Sequence, residues 1–140
     1  MSTPVAWLLD TNVLSETRKK KADQGVIAFL QAADSSGLYL SVLTIGELRK
    51  GIAAKRRTDP AAANSLTVWL EGLEFGFANR ILPIDAATAR FWGEWSGERP
   101  RPVIDTLLAA TAVHHGLTLV TCSTRDVEGL PVKTHNPWTA

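Results

Sequence analysis

Residues 102–121 read PVIDTLLAATAVHHGLTLVT, and this stretch decides the fold. Pro102 stands where a helix can begin without losing a needed N–H, and Gly116 stands where one ends. Between them Asp105 is the only acidic residue, and the other side chains are apolar or small nearly all round. Such a helix is buried on most sides. Directly after it, Thr118–Thr121 is a short β-branched run that reads as a strand. A buried helix feeding a buried strand is half of a β-α-β crossover, which points to a mainly parallel sheet covered on both faces.

The same alternation extends in both directions. Val5–Leu9, Leu38–Val42, Ile81–Ile84 and Val132–His135 are four more short runs rich in β-branched, apolar or aromatic residues, for five strands in all. Val26, Ile27, Phe29 and Leu30 predict a helix ending near Gly37. Ile45, Leu48 and Ile52 recur at helical spacing from Leu43 through LTIGELRKGIAAKRR. Asp59-Pro60 opens another helix that runs to about Asn79, and a further one follows Asp85. No repeat, low-complexity tract or linker interrupts residues 1–140, so one α/β domain is expected, with RKKKADQG and GERPRP as loops or helix ends.

Composition narrows the class. The chain has 140 residues, 45% apolar and 21% charged, the balance of an ordinary globular domain. No apolar run is long enough to span a membrane, and MSTPVAWLLDTN lacks the basic start of a signal peptide. A single cysteine, Cys122, cannot form an intrachain disulfide, which suits the cytoplasm. The net charge of +1 conceals an asymmetry: nine of the basic residues and only three acids lie between Arg18 and Arg57. That basic segment suits a polyanion such as RNA and equally suits solvated helix faces. Within it Arg18, Lys19, Lys20, Lys21, Arg49 and Lys50 are the candidate RNA contacts.

Four acids sit against the pattern. Ligands of open parallel sheets bind beyond the carboxyl ends of the strands. Asp10 follows the first run there, although it also suits the cap of a short helix through Val13–Arg18. Glu47 has Leu43, Gly51 and Ala54 on its own helical stripe, a small and apolar setting for a charge. Asp105 lies a few residues inside the buried helix and needs a partner or a cation. Asp126 follows the fourth run, where a turn or cap role is the plainer reading. Gathered together, such carboxylates repel by about 4 kcal/mol per pair at 4 Å and an effective dielectric of 20. A hard divalent ion such as Mg²⁺ or Mn²⁺ offsets that repulsion. His114 and His115 read as a favourable pair at a helix C-terminus, with His135 remote, so no Cys/His set reads as a zinc site.

With these acids in place, the sequence resembles the PIN-domain ribonucleases, and more narrowly the VapC and FitB type of toxin from type II toxin–antitoxin operons. The matching segments are LLDTNVLSE, SVLTIGELRKGI, IDTLLAATAVHHGLTLVT and TRDVEGL with the terminal HNPW. The resemblance implies a five-stranded parallel sheet of order 3-2-1-4-5, with helices on both faces. It implies an acidic pocket of Asp10, Glu47, Asp105 and Asp126 holding one or two Mg²⁺ or Mn²⁺ ions that activate water against an RNA phosphodiester. Asn12 would orient Asp10. Many relatives read TRN where this chain has Thr121-Cys122-Ser123, so Ser123 would stand in part for an amide there.

The implied function is a metal-dependent endoribonuclease that inhibits growth and is neutralised by a cognate antitoxin wrapped around it. Homodimers and toxin–antitoxin hetero-oligomers are implied as well, with operator DNA bound only through the antitoxin. Val26, Phe29, Leu30, Leu66 and Trp69 are candidates for the antitoxin groove, and Trp92 and Trp95 for a homodimer contact; plain core packing is the alternative for each. The Cys122-Ser123 departure motivates a second reading, a degenerate PIN fold that binds RNA or protein without catalysis. Other enzymes fail on residues: a receiver domain needs an acidic pair after its first strand, and a haloacid-dehalogenase-like phosphatase needs aspartate where Asn12 stands.

Overall fold

The structure, a computed structural model, describes residues 5–139. Its strands are β1 (Trp7–Leu9), β2 (Leu38–Ser41), β3 (Ile81–Leu82), β4 (Thr118–Val120) and β5 (Thr134–His135). All neighbours pair in parallel, in the order β3-β2-β1-β4-β5. This is the sheet order expected from the resemblance. The strands are shorter than the apolar runs, most clearly at β3, where Pro83 lacks the N–H a ladder needs.

Among the described residues six helices cover the sheet: α1 (Thr11–Glu16), α2 (Gln24–Ala32), α3 (Val42–Arg56), α4 (Pro60–Gly76), α5 (Ala86–Glu98) and α6 (Val103–His115). Two end before the expected point. α2 stops at Ala32 because Asp34 turns its carboxylate onto the Ser36 N–H and starts a separate 3₁₀ turn, Ser35–Gly37. α4 stops at Gly76 and gives way to the 3₁₀ turn Ala78–Arg80. α6 matches its signals: Pro102 precedes it, and Gly116 ends it in the left-handed region at φ 67°, a conformation glycine adopts without steric cost.

Adjacent residues of β1 show why both faces need helices. Leu8 packs with Leu108, Leu119 and Trp95 on one side, while Leu9 packs with Val13, Val26, Leu40 and Val120 on the other. Alternation along a strand sends consecutive side chains to opposite faces, so a strand apolar at every position is buried twice. Two candidate interface residues belong to these cores instead. Val26 is fully buried, and Trp95 is 8% exposed and stacked on Phe91 at 5.4 Å. Trp92 is half-buried against the same core.

The C-terminal segment is tied back to the front of the chain. Asp23 accepts hydrogen bonds from the Thr139 hydroxyl (2.7 Å) and N–H (3.2 Å), and Glu16 accepts one from the Trp138 indole (3.3 Å). Gly25 makes this approach possible: a Cβ there would lie 2.1 Å from the Pro137 carbonyl oxygen and 2.8 Å from the Thr139 methyl. Overpacking against backbone costs about 1–3 kcal/mol, more than the ~1 kcal/mol of helix propensity that alanine gains over glycine. Gly25→Ala is therefore expected to lower the thermal midpoint by about 3–6 °C. An unchanged or raised midpoint in a thermal melt would show that the C-terminal segment does not dock there.

Candidate functional site

The first functional side chain is placed by the end of a strand. The Asp10 N–H still pairs with the Val120 carbonyl at 3.0 Å, so its carboxylate emerges at the carboxyl edge of the central strand pair. It is 6% exposed and makes no side-chain cap to α1. Instead its Oδ2 accepts from the Thr121 hydroxyl at 2.7 Å and from the Asn12 amide at 3.1 Å. Burial raises the Asp10 carboxyl above its ordinary range and the charge of Glu47 adds to the rise, while the Thr121 hydroxyl is the chief opposing influence.

Asn12 extends the network. Its amide nitrogen lies 3.4 Å from Thr121 Oγ1 and 3.5 Å from Ser123 Oγ, and the Ser123 N–H donates to Thr121 Oγ1 at 2.9 Å. Ser123 thus sits where the resemblance puts an amide, and Cys122 is exposed. The Asn12 Oδ1 atom is buried without a hydrogen-bond partner.

Glu47 comes from the second turn of α3, whose start is fixed by Ser41 accepting from the Leu43 N–H at 3.0 Å. The Thr11 hydroxyl donates to Glu47 Oε1 at 2.5 Å, in the range of a charge-assisted bond, and the Thr44 hydroxyl lies 3.1 Å from Thr11 Oγ1. Asp105 is in the first turn of α6, and Asp126 is exposed in the 3₁₀ turn Thr124–Val127. All four acids come together electrostatically at Asp105. Its carboxyl is pushed up to about 6, first by burial, then by Asp10, and further by Asp126 and Glu47.

Glu47 stands at the junction of three hollows. A cleft of about 430 Å³ is lined by Asp10, Asn12, Glu16, Lys19, Glu47 and Trp138, which is how the docked C-terminus comes to wall the site. A groove of about 340 Å³ runs from Glu47 past Arg18, Leu48, Ile52, Leu66 and Trp69. The third, of about 550 Å³, holds Leu43, Lys50, Gly51, Ala54 and Ile104, so the small and apolar stripe expected around Glu47 is present. Asp105 and Asp126 do not line the first cleft; charge, not a shared wall, links them to the other acids.

The basic candidates divide. Lys19 reaches the cleft while paired with Glu16 at 3.0 Å, and Arg18 lies over the Trp69 ring at 5.4 Å. Lys20 and Lys21 are exposed in the turn after α1. Arg49 is drawn to Glu74 on α4 at 3.0 Å, away from the acids. Sequence reading missed Thr11 and Thr121 as partners of the carboxylates, because their contacts join residues 36 and 111 positions apart. It missed Asp85 as well: among the described residues, the one set of three donors whose ligand atoms all lie within 4.8 Å is Asp85, His114 and His115.

The chain belongs to the PIN-domain family, whose domain model matches residues 7–126. Within the family its likeness is to particular toxins. It is 35% identical to the VapC ribonuclease Y4jK of Sinorhizobium fredii, over 94% of this chain and 96% of that protein. It is 33% identical to toxin FitB of Neisseria gonorrhoeae, over 94% and 97%. The solved structure of FitAB bound to an IR36 DNA fragment superposes with a TM-score of 0.86 at 31% identity, covering 96% of both chains.

Proposed function

We propose that this chain is a divalent-metal-dependent endoribonuclease, the toxin of a type II toxin–antitoxin module, which inhibits growth by cleaving RNA in the cytoplasm. One observation carries the reading: Asp10 and Glu47 line one cleft at the carboxyl edge of the sheet, each held by a threonine hydroxyl, and their charges with that of Asp126 raise the Asp105 carboxyl. Such a concentration of negative charge opposes folding unless a cation meets it.

The residues suit a hard ion. Their donors are all carboxylate oxygens, the kind a hard divalent ion takes. Asp10, Glu47, Asp105 and Asp126 would hold Mg²⁺ or Mn²⁺, one or two ions. A bound ion supplies Lewis acidity for phosphodiester hydrolysis. The protein's part is positional. Thr121 and Asn12 fix the Asp10 carboxylate, Thr11 fixes Glu47, and Ser123 keeps the Asn12 amide turned toward Asp10. Ser123 lies at the edge of this network, 3.5 Å from the Asn12 amide, and absence of Mn²⁺ binding by folded protein in titration calorimetry would favour the non-catalytic alternative.

Lys19 and Lys50, at two of the hollows beside Glu47, and Arg18 at the third are the nearest cations for an RNA backbone, with Lys20 and Lys21 further along the same edge. The groove of Leu48, Ile52, Leu66 and Trp69 is the antitoxin's berth in this reading. It opens at Glu47, where a basic side chain of the antitoxin would meet the acids. Operator DNA would be bound by the antitoxin's own domain, within a toxin–antitoxin hetero-oligomer built on toxin homodimers.

The test is cleavage of a panel of structured RNAs by purified protein with Mn²⁺ or Mg²⁺, and with EDTA. Expected are fragments with 5′-phosphate and 3′-hydroxyl ends that appear only with the ion, because water and not a ribose hydroxyl attacks. Cleavage that persists under chelation, or 2′,3′-cyclic ends, would overturn the mechanism.

A further inference from the structure

We propose that Asp85, His114 and His115 form a second metal site, separate from the four acids, that takes a late transition-metal ion such as Zn²⁺. The ligand atoms of all three lie within 4.8 Å of one another. Zinc bonds of about 2.0–2.1 Å place the corners of its tetrahedron about 3.3 Å apart. His114 Nε2 and Asp85 Oδ2 already stand 3.2 Å apart. His115, its ring centroid 4.6 Å from that of His114, supplies the third corner by turning an exposed side chain. Water or a partner's donor fills the fourth, the pattern of open zinc sites.

The surroundings prepare these donors. Asp85 is the N-cap of α5, and its Oδ1 accepts from the Thr88 N–H at 2.9 Å, which fixes the carboxylate and leaves Oδ2 toward His114. Buttressing of this kind is what metal ligands need. Both imidazoles lie in the last turn of α6, where the helix dipole favours positive charge. A plain ion pair explains His114 and Asp85 but leaves His115 pressed against its neighbour.

Chemistry separates the two sites. Two imidazoles and one carboxylate select zinc, nickel or cobalt over magnesium, whereas four carboxylates favour magnesium or manganese. Asp105 and His114 are about 13 Å apart along α6, so neither site shares ligands with the other. An ion at this end would staple α5 to α6, the helix that carries Asp105 at its other end. The proposal does not depend on ribonuclease activity.

The test uses the full chain with ZnCl₂ alone in titration calorimetry and CoCl₂ in absorption spectroscopy. Wild type and Asp10→Asn are expected to share one Zn²⁺ site of equal affinity, to show the visible bands of a tetrahedral Co²⁺ centre, and to melt at a higher temperature with zinc. H114Q/H115Q is expected to bind zinc about 100-fold more weakly, to lose the cobalt bands and to melt unchanged. Wild-type zinc affinity in folded H114Q/H115Q, or its loss in Asp10→Asn, would overturn the proposal. Should H114Q/H115Q fail to fold, H115Q and D85N decide: at least tenfold weaker binding in either supports the site, and wild-type affinity in both sinks it.

Discussion

Asp10→Asn is expected to reduce RNA cleavage by about 10³-fold or more, a loss of roughly 4 kcal/mol of transition-state stabilisation, with no loss of thermal stability. The two readouts part because of where Asp10 sits. Its carboxylate is buried and held at an elevated pKa by that burial, so a neutral amide of the same shape is readily accepted by the fold. The asparagine oxygen can still take the Thr121 hydroxyl bond. What disappears is one anionic oxygen donor in a site whose chemistry depends on holding a divalent cation. Initial rates on a cleaved RNA with saturating Mn²⁺, beside thermal melts of both proteins, check this. A variant that cleaves at the wild-type rate would remove Asp10 from the site.

Asp105→Asn is expected to act in opposite directions on activity and stability. Cleavage falls by at least about 10²-fold, since one of the four proposed anionic metal donors is neutralised. The metal-free protein becomes more stable at neutral pH. Asp105 titrates at about 6 when folded against an ordinary 3.8, so the folded state holds the proton more tightly. Its stabilising proton is in place below pH 4 and is lost as pH rises through 6, which leaves a penalty above about pH 7. The full shift corresponds to roughly 3 kcal/mol, and screening at a half-exposed site reduces it to about 1 kcal/mol. The variant should therefore melt about 3 °C above wild type at pH 7.5 without divalent ion. At pH 5 about half of the difference should remain, because unfolded Asp105 is still ionised there, and the two curves should coincide only below about pH 4. The difference between the proteins is the right measure, because His115, with its lowered pKa, loses stability as pH falls. Equal melts at pH 7.5, or a less stable variant, would show that the four acids do not load Asp105.

Saturating Mn²⁺ is expected to reverse the order at pH 7.5, with wild type gaining more than the variant, because an ion bound by the native state stabilises it in proportion to its affinity. The contrast ties the stability measurement to the proposed function: the charge that weakens the ion-free fold is the charge that holds the ion.

Much of this was legible in the residues. Pro102 and Gly116 bracket α6 as their backbone preferences require, and the apolar runs locate all five strands, with ends one to a few residues too long. Asp10, Glu47 and Asp105 stood out because a charge in an apolar setting is costly, and a cost is visible locally. Asp126 was marked only by its place after the fourth strand, since an acid in a turn is ordinary, and in the structure it is an exposed residue that raises the Asp105 carboxyl.

By itself, then, the sequence determined the alternation of strands and helices, the burial of α6 and the identities of the acids, because these follow from periodicity, backbone preference and solvation read over a few neighbouring residues. Only the tertiary structure decided the rest. Pairing β1 with β4 brings Thr121 onto Asp10, and packing α1 on α3 brings Thr11 onto Glu47. Core packing takes Val26 and Trp95 away from any surface, and the α5–α6 pair sets Asp85 against His114. Each of these joins residues far apart in the chain, and nothing in local propensity or hydrophobic period specifies which distant element will become a neighbour.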